Sequence, residues 1–246
     1  MKLKRVLALY QRDLAYIHHV GFGDFSRRAA TELIGILKRA GVRKGVLLDL
    51  ACGSGIWAAH AQRAGFQVLG MDQSLAMIRL ARSNAPQARF KCGSLYDVDL
   101  PRCDVITVLG EGLNYLPAKG GAGPSVDQFF KKAAHALRPG GLLIFDVMVS
   151  GGPRMNYRLW KEGLGWAVLT EISEPVRNKL LSRWNVIFRK SKLGWRRSEE
   201  THRIRLLEPA DLMRSLRRAG FAVRISSRYG RMPLLPRRQA FIARKL

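Results

Sequence analysis

The chain contains a glycine-rich turn between two carboxylates, a combination that suits the binding of a nucleoside. Residues 51–55 read ACGSG and follow an apolar run typical of a buried parallel strand. A helix-forming segment and a second apolar run come next, and that run ends at Asp72. Glycines let the backbone turn tightly beneath a ligand, and a carboxylate at a strand end can accept both hydroxyls of a ribose. Residues 46–72 therefore predict a βαβ unit that binds a nucleoside-bearing cofactor.

Asp49 narrows the type of cofactor. It stands two residues before the turn, where a carboxylate disfavours a phosphate and favours an ammonium group. The pattern Asp49-x-Ala51-x-Gly53-x-Gly55 resembles the first motif of class I S-adenosylmethionine-dependent methyltransferases, (D/E)-x-(G/A)-x-G-x-G. The resemblance implies that the turn cradles the methionine part of S-adenosylmethionine and that Asp72 binds its ribose. S-adenosylhomocysteine would be the product.

Three later segments match the same family in the expected order. Residues 74–78 (SLAMI) follow Asp72, residues 93–95 (GSL) follow a short third strand, and residues 137–141 (LRPGG) precede an apolar run. The resemblance implies that Met77, which would equally suit a core position, lies near the adenine, and that Ser94 and Leu95 contact it ahead of Asp97. The cofactor-binding set that it implies is Asp49, Ala51, Cys52, Gly53, Gly55, Asp72, Gln73, Met77, Gly93, Ser94, Leu95, Leu109 and Gly110.

The segment after the predicted fourth strand carries candidate catalytic residues. Residues 110–116 read GEGLNYL, and ligands of doubly wound sheets bind outside the carboxyl ends of the strands. Glu111 is a candidate general base or cation binder, Asn114 could orient a nucleophile, and Tyr115 could accept a hydrogen bond or wall the pocket. Asn114 and Tyr115 would alternatively only shape the turn. Methyl transfer is an in-line displacement, so no metal is expected.

The order of apolar runs predicts an α/β fold. We expect a doubly wound, seven-stranded, mostly parallel sheet of the Rossmann-like methyltransferase type, with an antiparallel β insertion after the fifth strand. The core would comprise residues 45–150 and 208–246, with the antiparallel sixth and seventh strands at 221–229 and 239–244. Residues 151–207 would form an insertion of three strands, at 166–172, 179–190 and 195–207. Such an insertion resembles the substrate-covering or dimer-forming sheet of amino-sugar N-methyltransferases.

Residues 1–44 are predicted to form a helical lid. Residues 2–20 have helical composition, and Ser26 can cap a second helix that runs to about Arg39. The aromatic, glycine-containing segment 14–25 suggests a loop that closes over a ligand. In small-molecule methyltransferases such helices commonly cover the cofactor and substrate, so Tyr10, Tyr16 and His19 are the lid candidates. Each would alternatively pack on the core or face solvent.

Composition limits the partners. The 246 residues include 43 Lys and Arg against 18 Asp and Glu, a net charge of +25. Residues 151–246 carry 23 of the basic and 7 of the acidic residues, which fits an acidic small molecule or RNA, or reflects the source proteome. Three cysteines without ligand spacing indicate neither a disulfide framework nor a zinc site. No apolar run is long enough to span a membrane, so we predict a cytoplasmic location.

The leading hypothesis is methylation of a nitrogen or oxygen on a small molecule by a possible homodimer. An RNA methyltransferase is the first alternative, because the basic C-terminal part could bind phosphates. Neither a separate RNA-binding module nor an N-P-P-(Y/F) motif supports it. The second alternative is a protein that binds S-adenosylmethionine without turnover.

Overall fold

The computed structural model describes residues 9–116, 125–176 and 179–246. Its helices within these ranges are α1 (Arg12–Phe22), α2 (Asp24–Arg39), α3 (Ile56–Arg63), α4 (Leu75–Asn84), α5 (Val126–Ala136) and α6 (Pro209–Arg218). The strands are β1 (Gly45–Leu50), β2 (Phe66–Asp72), β3 (Arg89–Cys92), β4 (Cys103–Val108), β5 (Leu137–Met148), β6 (Tyr157–Gly163), β7 (Trp166–Ser173), β8 (Leu180–Ser191), β9 (Gly194–Arg205), β10 (Phe221–Ser226), β11 (Arg228–Tyr229), β12 (Met232–Pro233) and β13 (Arg238–Lys245).

A seven-stranded sheet in the order β10-β13-β5-β4-β1-β2-β3 forms the centre of the protein. The pairs among β1 to β5 are parallel, whereas β13 is antiparallel to both of its neighbours, β5 and β10. A separate four-stranded antiparallel sheet follows β5 in the chain. The predicted fold class is therefore confirmed.

Both faces of the main sheet are covered by apolar side chains. Phe129 and Phe130 of α5 pack on one face, and Leu33 of α2 and Trp57 of α3 pack on the other. Double coverage explains why β1 and β4 read as almost continuous apolar runs. The carboxyl ends of β1, β2 and β4 open at one edge of the sheet, and the segments predicted to bind ligands follow these strands.

The insertion contains one more strand than predicted. Its sheet has the order β6-β7-β8-β9, and β6 had been missed. All seven residues of β6 are exposed, so the strand shows none of the apolar alternation that reveals a half-buried strand. Asn178, part of a predicted hairpin turn, lies outside the described residues. The boundaries predicted for the three parts of the chain stay predictions.

The N-terminal prediction is corrected in two places. The expected loop at 14–25 is largely the helix α1, and Ser26 lies inside α2 rather than capping it. Gly23 has helical backbone angles, φ −65° and ψ −12°, so α2 can begin at Asp24, directly after it. Residues 2–8 of the predicted first helix lie outside the described residues. Within the described ranges, no helix has the length and apolar character to cross a membrane.

The helix α1 lies against the insertion. Leu14 and Ile17 form an apolar cluster with Trp166, Val168 and Ile187 of the antiparallel sheet. A two-pronged ion pair between Asp13 and Arg196, with Nη2 2.6 Å from Oδ1, adds to this contact. The antiparallel sheet and α1 therefore form one cover over the carboxyl edge of the main sheet.

Candidate active site

A cavity of about 1260 Å³ lies between the main sheet, α1 and the insertion. Most of the predicted site residues line it. These are Tyr10, Asp49, Ala51, Cys52, Gly53, Asp72, Gln73, Met77, Gly93, Ser94, Leu95, Leu109, Gly110, Glu111 and Tyr115. Among the predicted residues, Gly55, Asn114, Tyr16 and His19 do not line it.

The turn after β1 leaves room for a ligand against its backbone. Gly53 has φ +53°, and a Cβ added there would meet no heavy atom of the described residues within 4 Å. Gly55 serves packing instead, because a Cβ there would lie 2.8 Å from the Cα of Ala81 in α4. Gly53 therefore keeps the surface open while Gly55 brings α4 close to the turn.

Asp49 presents an unsatisfied carboxylate oxygen in the cavity wall. Its Oδ1 accepts a hydrogen bond from Thr107 Oγ1 at 3.1 Å, whereas Oδ2 is buried and has no hydrogen-bond partner among the described residues. Burial raises the pKa of Asp49 to about 8. An ammonium group would satisfy Oδ2 and restore the ionised state. The site thus fits the amino group of the methionine part of S-adenosylmethionine.

Asp72 is held in a fixed position at the end of β2. Its Oδ2 accepts from the backbone N–H of Gly53 at 2.9 Å, and its Oδ1 accepts from that of Ser74 at 2.8 Å. Burial raises its pKa above the ordinary range in spite of these bonds. Each carboxylate oxygen can accept a further hydrogen bond, so the group suits the two hydroxyls of a ribose.

The next part of the cavity suits an adenine ring. Met77 and Leu95 offer buried apolar surface, and Ser94 and Asp97 both line the same region. Ser94 Oγ accepts from the backbone N–H of Tyr96 at 3.2 Å and so fixes the turn after β3. The cavity as a whole therefore matches the amino acid, ribose and base of the cofactor in the order of the chain.

Glu111 binds two arginines from distant parts of the chain. It is 1% exposed, and its carboxylate pairs with Arg183 of β8 at 2.9 Å and with Arg238 of β13. Burial alone would raise the pKa of Glu111, but the two guanidinium groups outweigh burial and lower it. Glu111 therefore remains a carboxylate paired with the protein's own arginines, and it is a weak base.

Asn114 fastens the loop instead of facing the cavity. Its Nδ2 donates to the carbonyl oxygens of Met148 and Arg205, both at 2.7 Å, and its Oδ1 accepts from the N–H of Met148 at 3.0 Å. These bonds join the post-β4 loop to β5 and β9. The side chain is completely buried, so its position agrees with the alternative that Asn114 shapes the turn.

Tyr10 and Tyr115 both line the cavity and contact each other. Their hydroxyl groups lie 2.8 Å apart, and the backbone oxygen of Tyr10 accepts from Ser74 Oγ at 2.6 Å. Burial raises the pKa of both phenols, so both remain protonated at neutral pH. This pair joins the N-terminal segment to the post-β4 loop and closes one side of the cavity.

Tyr16 and His19, the two other lid candidates, do not line the cavity. Tyr16 packs against the Arg189 guanidinium group, 3.4 Å from the ring centroid, and His19 Nδ1 lies 3.0 Å from Ser54 Oγ. His18 lines the cavity instead. Burial lowers the pKa of His18 to about 4.

Sequence reasoning missed the residues that the insertion contributes. The inner faces of β7, β8 and β9 place Thr170, Arg183, Asn185 and His202 in the cavity lining. Successive residues of a strand point to opposite faces, so Arg183 and Trp184 of β8 lie on different faces. Alternation alone does not show which of the two faces lines the cavity.

Comparisons with known proteins agree with this geometry. A family model described as a methyltransferase domain matches residues 47–141. A dTDP-3-amino-3,6-dideoxy-alpha-D-glucopyranose N,N-dimethyltransferase from Streptomyces fradiae is 25% identical over 221 residues, covering 87% of this chain and 86% of that protein.

Two solved structures share the fold over almost the full chain. One is an S-adenosylmethionine-dependent methyltransferase from Clostridium acetobutylicum, with TM-score 0.77 and 17% identity over 94% of this chain and 97% of that one. The other is a sugar N-methyltransferase from Streptoalloteichus, with TM-score 0.76 and 19% identity over 100% and 96%. Identities this low show the fold alone. The chain thus carries a match to a methyltransferase domain at residues 47–141 and, over most of its length, is similar to class I S-adenosylmethionine-dependent methyltransferases, among them an amino-sugar N,N-dimethyltransferase.

Proposed function

We propose that this enzyme methylates the amino nitrogen of a nucleotide-linked amino sugar. The observation that carries the proposal is the size and cover of the cavity. Its volume of about 1260 Å³ exceeds the roughly 300–1,000 Å³ of an ordinary small-molecule site. The motif residues account for one end, and the space under the antiparallel sheet has room for a second ligand.

The charges at the far end of the cavity suit an acceptor that carries phosphate groups. Arg154, Arg183, Arg237 and Arg238 line this end. Glu111 balances Arg183 and Arg238 together with Asp146, and Glu174 pairs with Arg237 at 2.5 Å. Arg154 is exposed at the cavity and leaves one positive charge in excess of the carboxylates. A diphosphate could bind at this end while the sugar reaches inward.

The structure supports transfer by alignment. S-adenosylmethionine, when bound, supplies a methyl group on a sulfonium sulfur. Asp49 and Asp72 fix the position of this donor by its ammonium group and ribose. The Tyr10 and Tyr115 pair and the covering sheet exclude water and limit where an acceptor nitrogen can lie. The hydroxyl groups of Tyr10 and Tyr115 can form hydrogen bonds with the methyl acceptor.

A direct assay tests the proposal. The purified enzyme is incubated with S-adenosylmethionine and dTDP-3-amino-3,6-dideoxy-α-D-glucose, and the nucleotide sugar is analysed by mass spectrometry. We expect one or two added methyl groups on the amino nitrogen. The matching sugar with a hydroxyl group in place of the amine is the control and should stay unmodified. Methylation of the hydroxyl sugar at the same rate, or of neither sugar by enzyme that binds S-adenosylhomocysteine, would contradict the proposal.

The same cavity favours a compact acceptor over RNA. A cover made of α1 and the antiparallel sheet suits a small molecule that is enclosed as a whole. The homodimer and the cytoplasmic location predicted from the sequence stay predictions. For the homodimer, Trp160, Leu169 and Trp195 offer exposed apolar surface on the outer face of the insertion.

A further inference from the structure

His202 and Glu200 form a buried pair in the cavity cover that the transfer by alignment does not use. Both lie on β9, and their side chains are 2% and 3% exposed. His202 Nε2 lies 3.1 Å from Glu200 Oε2, and the other carboxylate oxygen accepts from the backbone N–H of Gln11 at 2.8 Å. Glu200 thus orients the histidine and at the same time holds the chain segment that enters α1.

The second ring nitrogen of His202 is open to the cavity. His202 is one of the lining residues, and its Nδ1 has no hydrogen-bond partner in the ranges that the structure describes. Nδ1 has no partner among the described residues and is not fully buried, so solvent or a ligand can reach it. A carboxylate that accepts from Nε2–H fixes the tautomer whose lone pair is on Nδ1.

An amine acceptor requires such a group. A primary amine is protonated at neutral pH and has no lone pair for attack until it loses a proton. We propose that His202 is the catalytic residue that accepts this proton and that Glu200 is its positioning residue. The inference rests on the proposed function, because an amine acceptor is what makes a base necessary.

The amine loses a proton to His202 before it accepts the methyl group. An N–H bond of the ammonium group breaks and its proton moves to His202 Nδ1, which leaves the lone pair on the amine nitrogen. The nitrogen then forms a bond to the methyl carbon while the carbon–sulfur bond breaks and its electron pair stays on sulfur. The positive charge of the sulfonium passes to the methylated nitrogen, and the imidazolium later releases its proton to water.

Other groups in the cavity suit this task less well. Glu111 is neutralised by Arg183 and Arg238, and the phenols of Tyr10 and Tyr115 stay protonated. His18 has its pKa lowered to about 4 and is a weak base at neutral pH. Asp49 lies in the turn that holds the donor's ammonium group.

Several charged and titratable groups surround His202. Glu200 lies on the same strand, and Arg183 is its register partner on β8. The ring of Tyr10 lies 4.7 Å away and that of Tyr115 5.8 Å away, and His18 faces it from α1. The guanidinium group of Arg183 is itself balanced by Glu111.

The first test is the pH dependence of kcat/KM with dTDP-3-amino-3,6-dideoxy-α-D-glucose as acceptor. The His202→Gln variant keeps polar atoms at this position but cannot take up a proton. We expect a loss of about 10²-fold at pH 7, which shrinks as the pH rises through the pKa of the acceptor amine, because a neutral amine needs no base. His135→Gln, at an exposed position near the end of α5, is the matched control and should keep the wild-type profile.

The Glu200→Gln variant separates positioning from catalysis. We expect a smaller loss than for His202→Gln, and no additional loss when both substitutions are combined, because Glu200 acts through His202. A deficit in His202→Gln that stays constant from pH 6 to pH 10 would indicate a structural role and overturn the proposal. A rate within about twofold of wild type at pH 7 would do the same.

A second measurement does not depend on the acceptor. The five histidines of the protein are labelled with ¹³C, and their NMR signals are followed from pH 5 to pH 9, with His202→Gln to assign the signal. We expect the His202 signal to titrate within this range. A signal that does not titrate would overturn the proposal even if the wild-type enzyme methylates the sugar. If the wild-type enzyme leaves every amino sugar unmodified, the proposed function fails, and the titration still decides whether His202 can take up a proton.

Discussion

Asp49 leads to a quantitative prediction about the pH dependence of cofactor binding. In the free enzyme, burial raises the pKa of Asp49 to about 8, from the value of about 4 that an aspartate has in an unfolded chain. The carboxyl group is therefore mostly protonated at pH 6, whereas an adjacent ammonium group requires the ionised form. Binding of S-adenosylhomocysteine, which carries the same ammonium group as the donor, must then release a proton below pH 8.

The magnitude follows from the protonated fraction. With a pKa of about 8, the neutral form outweighs the carboxylate by about 100 to 1 at pH 6, and the two are equal at pH 8. The Kd for S-adenosylhomocysteine should therefore fall by roughly 50-fold between these pH values, or by about 10-fold if the pKa is one unit lower. Above pH 8 the affinity should become level.

As the pH rises, the contribution of Asp49 to the stability of the free enzyme should fall, whereas its contribution to the affinity for S-adenosylhomocysteine should rise. The folded state holds the Asp49 proton up to about pH 8, whereas the unfolded chain loses it near pH 4. The unfolded state therefore binds fewer protons between these values, so this residue lowers the free energy of unfolding as the pH rises. Saturating S-adenosylhomocysteine should offset that loss, because the ligand favours the ionised carboxylate.

Isothermal titration calorimetry measures the effect directly. Titrations in buffers with different ionisation enthalpies should show release of nearly one proton at pH 6 to 7 and little at pH 9. Asp49→Asn should abolish the release and weaken binding at pH 8 by about 1.5–3 kcal/mol, the worth of a hydrogen bond to a charged group. Asp99→Asn, at an exposed position outside the cavity, should behave as wild type. Equal proton release in wild type and Asp49→Asn would refute this reasoning.

Three further substitutions test the groups that shape the site. Glu111→Gln should lower the free energy of unfolding by about 3–5 kcal/mol in urea titrations, because Arg183 would keep a buried charge without a carboxylate and Arg238 would keep only Asp146. Glu111→Gln combined with Arg183→Met should recover part of this loss, and no recovery would contradict the pairing. Asn114→Ala removes three hydrogen bonds from a buried amide and should cost about 2–4 kcal/mol by the same method. Gly55→Ala should destabilise the protein, because its Cβ would lie 2.8 Å from the Cα of Ala81 at a φ of +74°. Gly65→Ala, at a positive φ with open space around it, is the control for Gly55→Ala and should cost less.

Local sequence was sufficient to predict that the residues of three separate segments lie together in the lining of one cavity. The turn at 51–55, Asp72 and the segment at 93–95 each follow a strand directly, so short stretches of chain fix their positions. The pattern of apolar runs in turn fixes the order in which these strands enter the sheet. In this motif one glycine faces the open cavity and the other packs against a helix, and spacing alone does not distinguish the two. Gly55 was therefore predicted to bind the cofactor along with Gly53. Only the position of Ala81 shows which is which.

The residues at the other end of the cavity, which we propose to bind the acceptor, could not be found in the same way, because they come together from distant parts of the chain. Glu111 pairs with Arg183, which is 72 residues away in the sequence, and with Arg238, which is 127 residues away. The hydrogen-bonded pair of Tyr10 and Tyr115 is separated by 105 residues. Alternation along β8 assigns its residues to two faces but does not say which face is covered. In the structure, Trp184 is 41% exposed, whereas Arg183 and Asn185 on the other face of β8 line the cavity.

The inner face of the insertion mixes apolar and polar side chains for a physical reason. It is apolar where Trp166, Val168 and Ile187 pack with α1, and it carries polar groups where it lines the cavity, because a ligand and the ion pairs to the core need them. Glu200 and His202 of β9 are buried as well. In an inserted sheet that is predicted to cover a substrate, the charged face is therefore the better starting point in a search for acceptor-binding and catalytic residues.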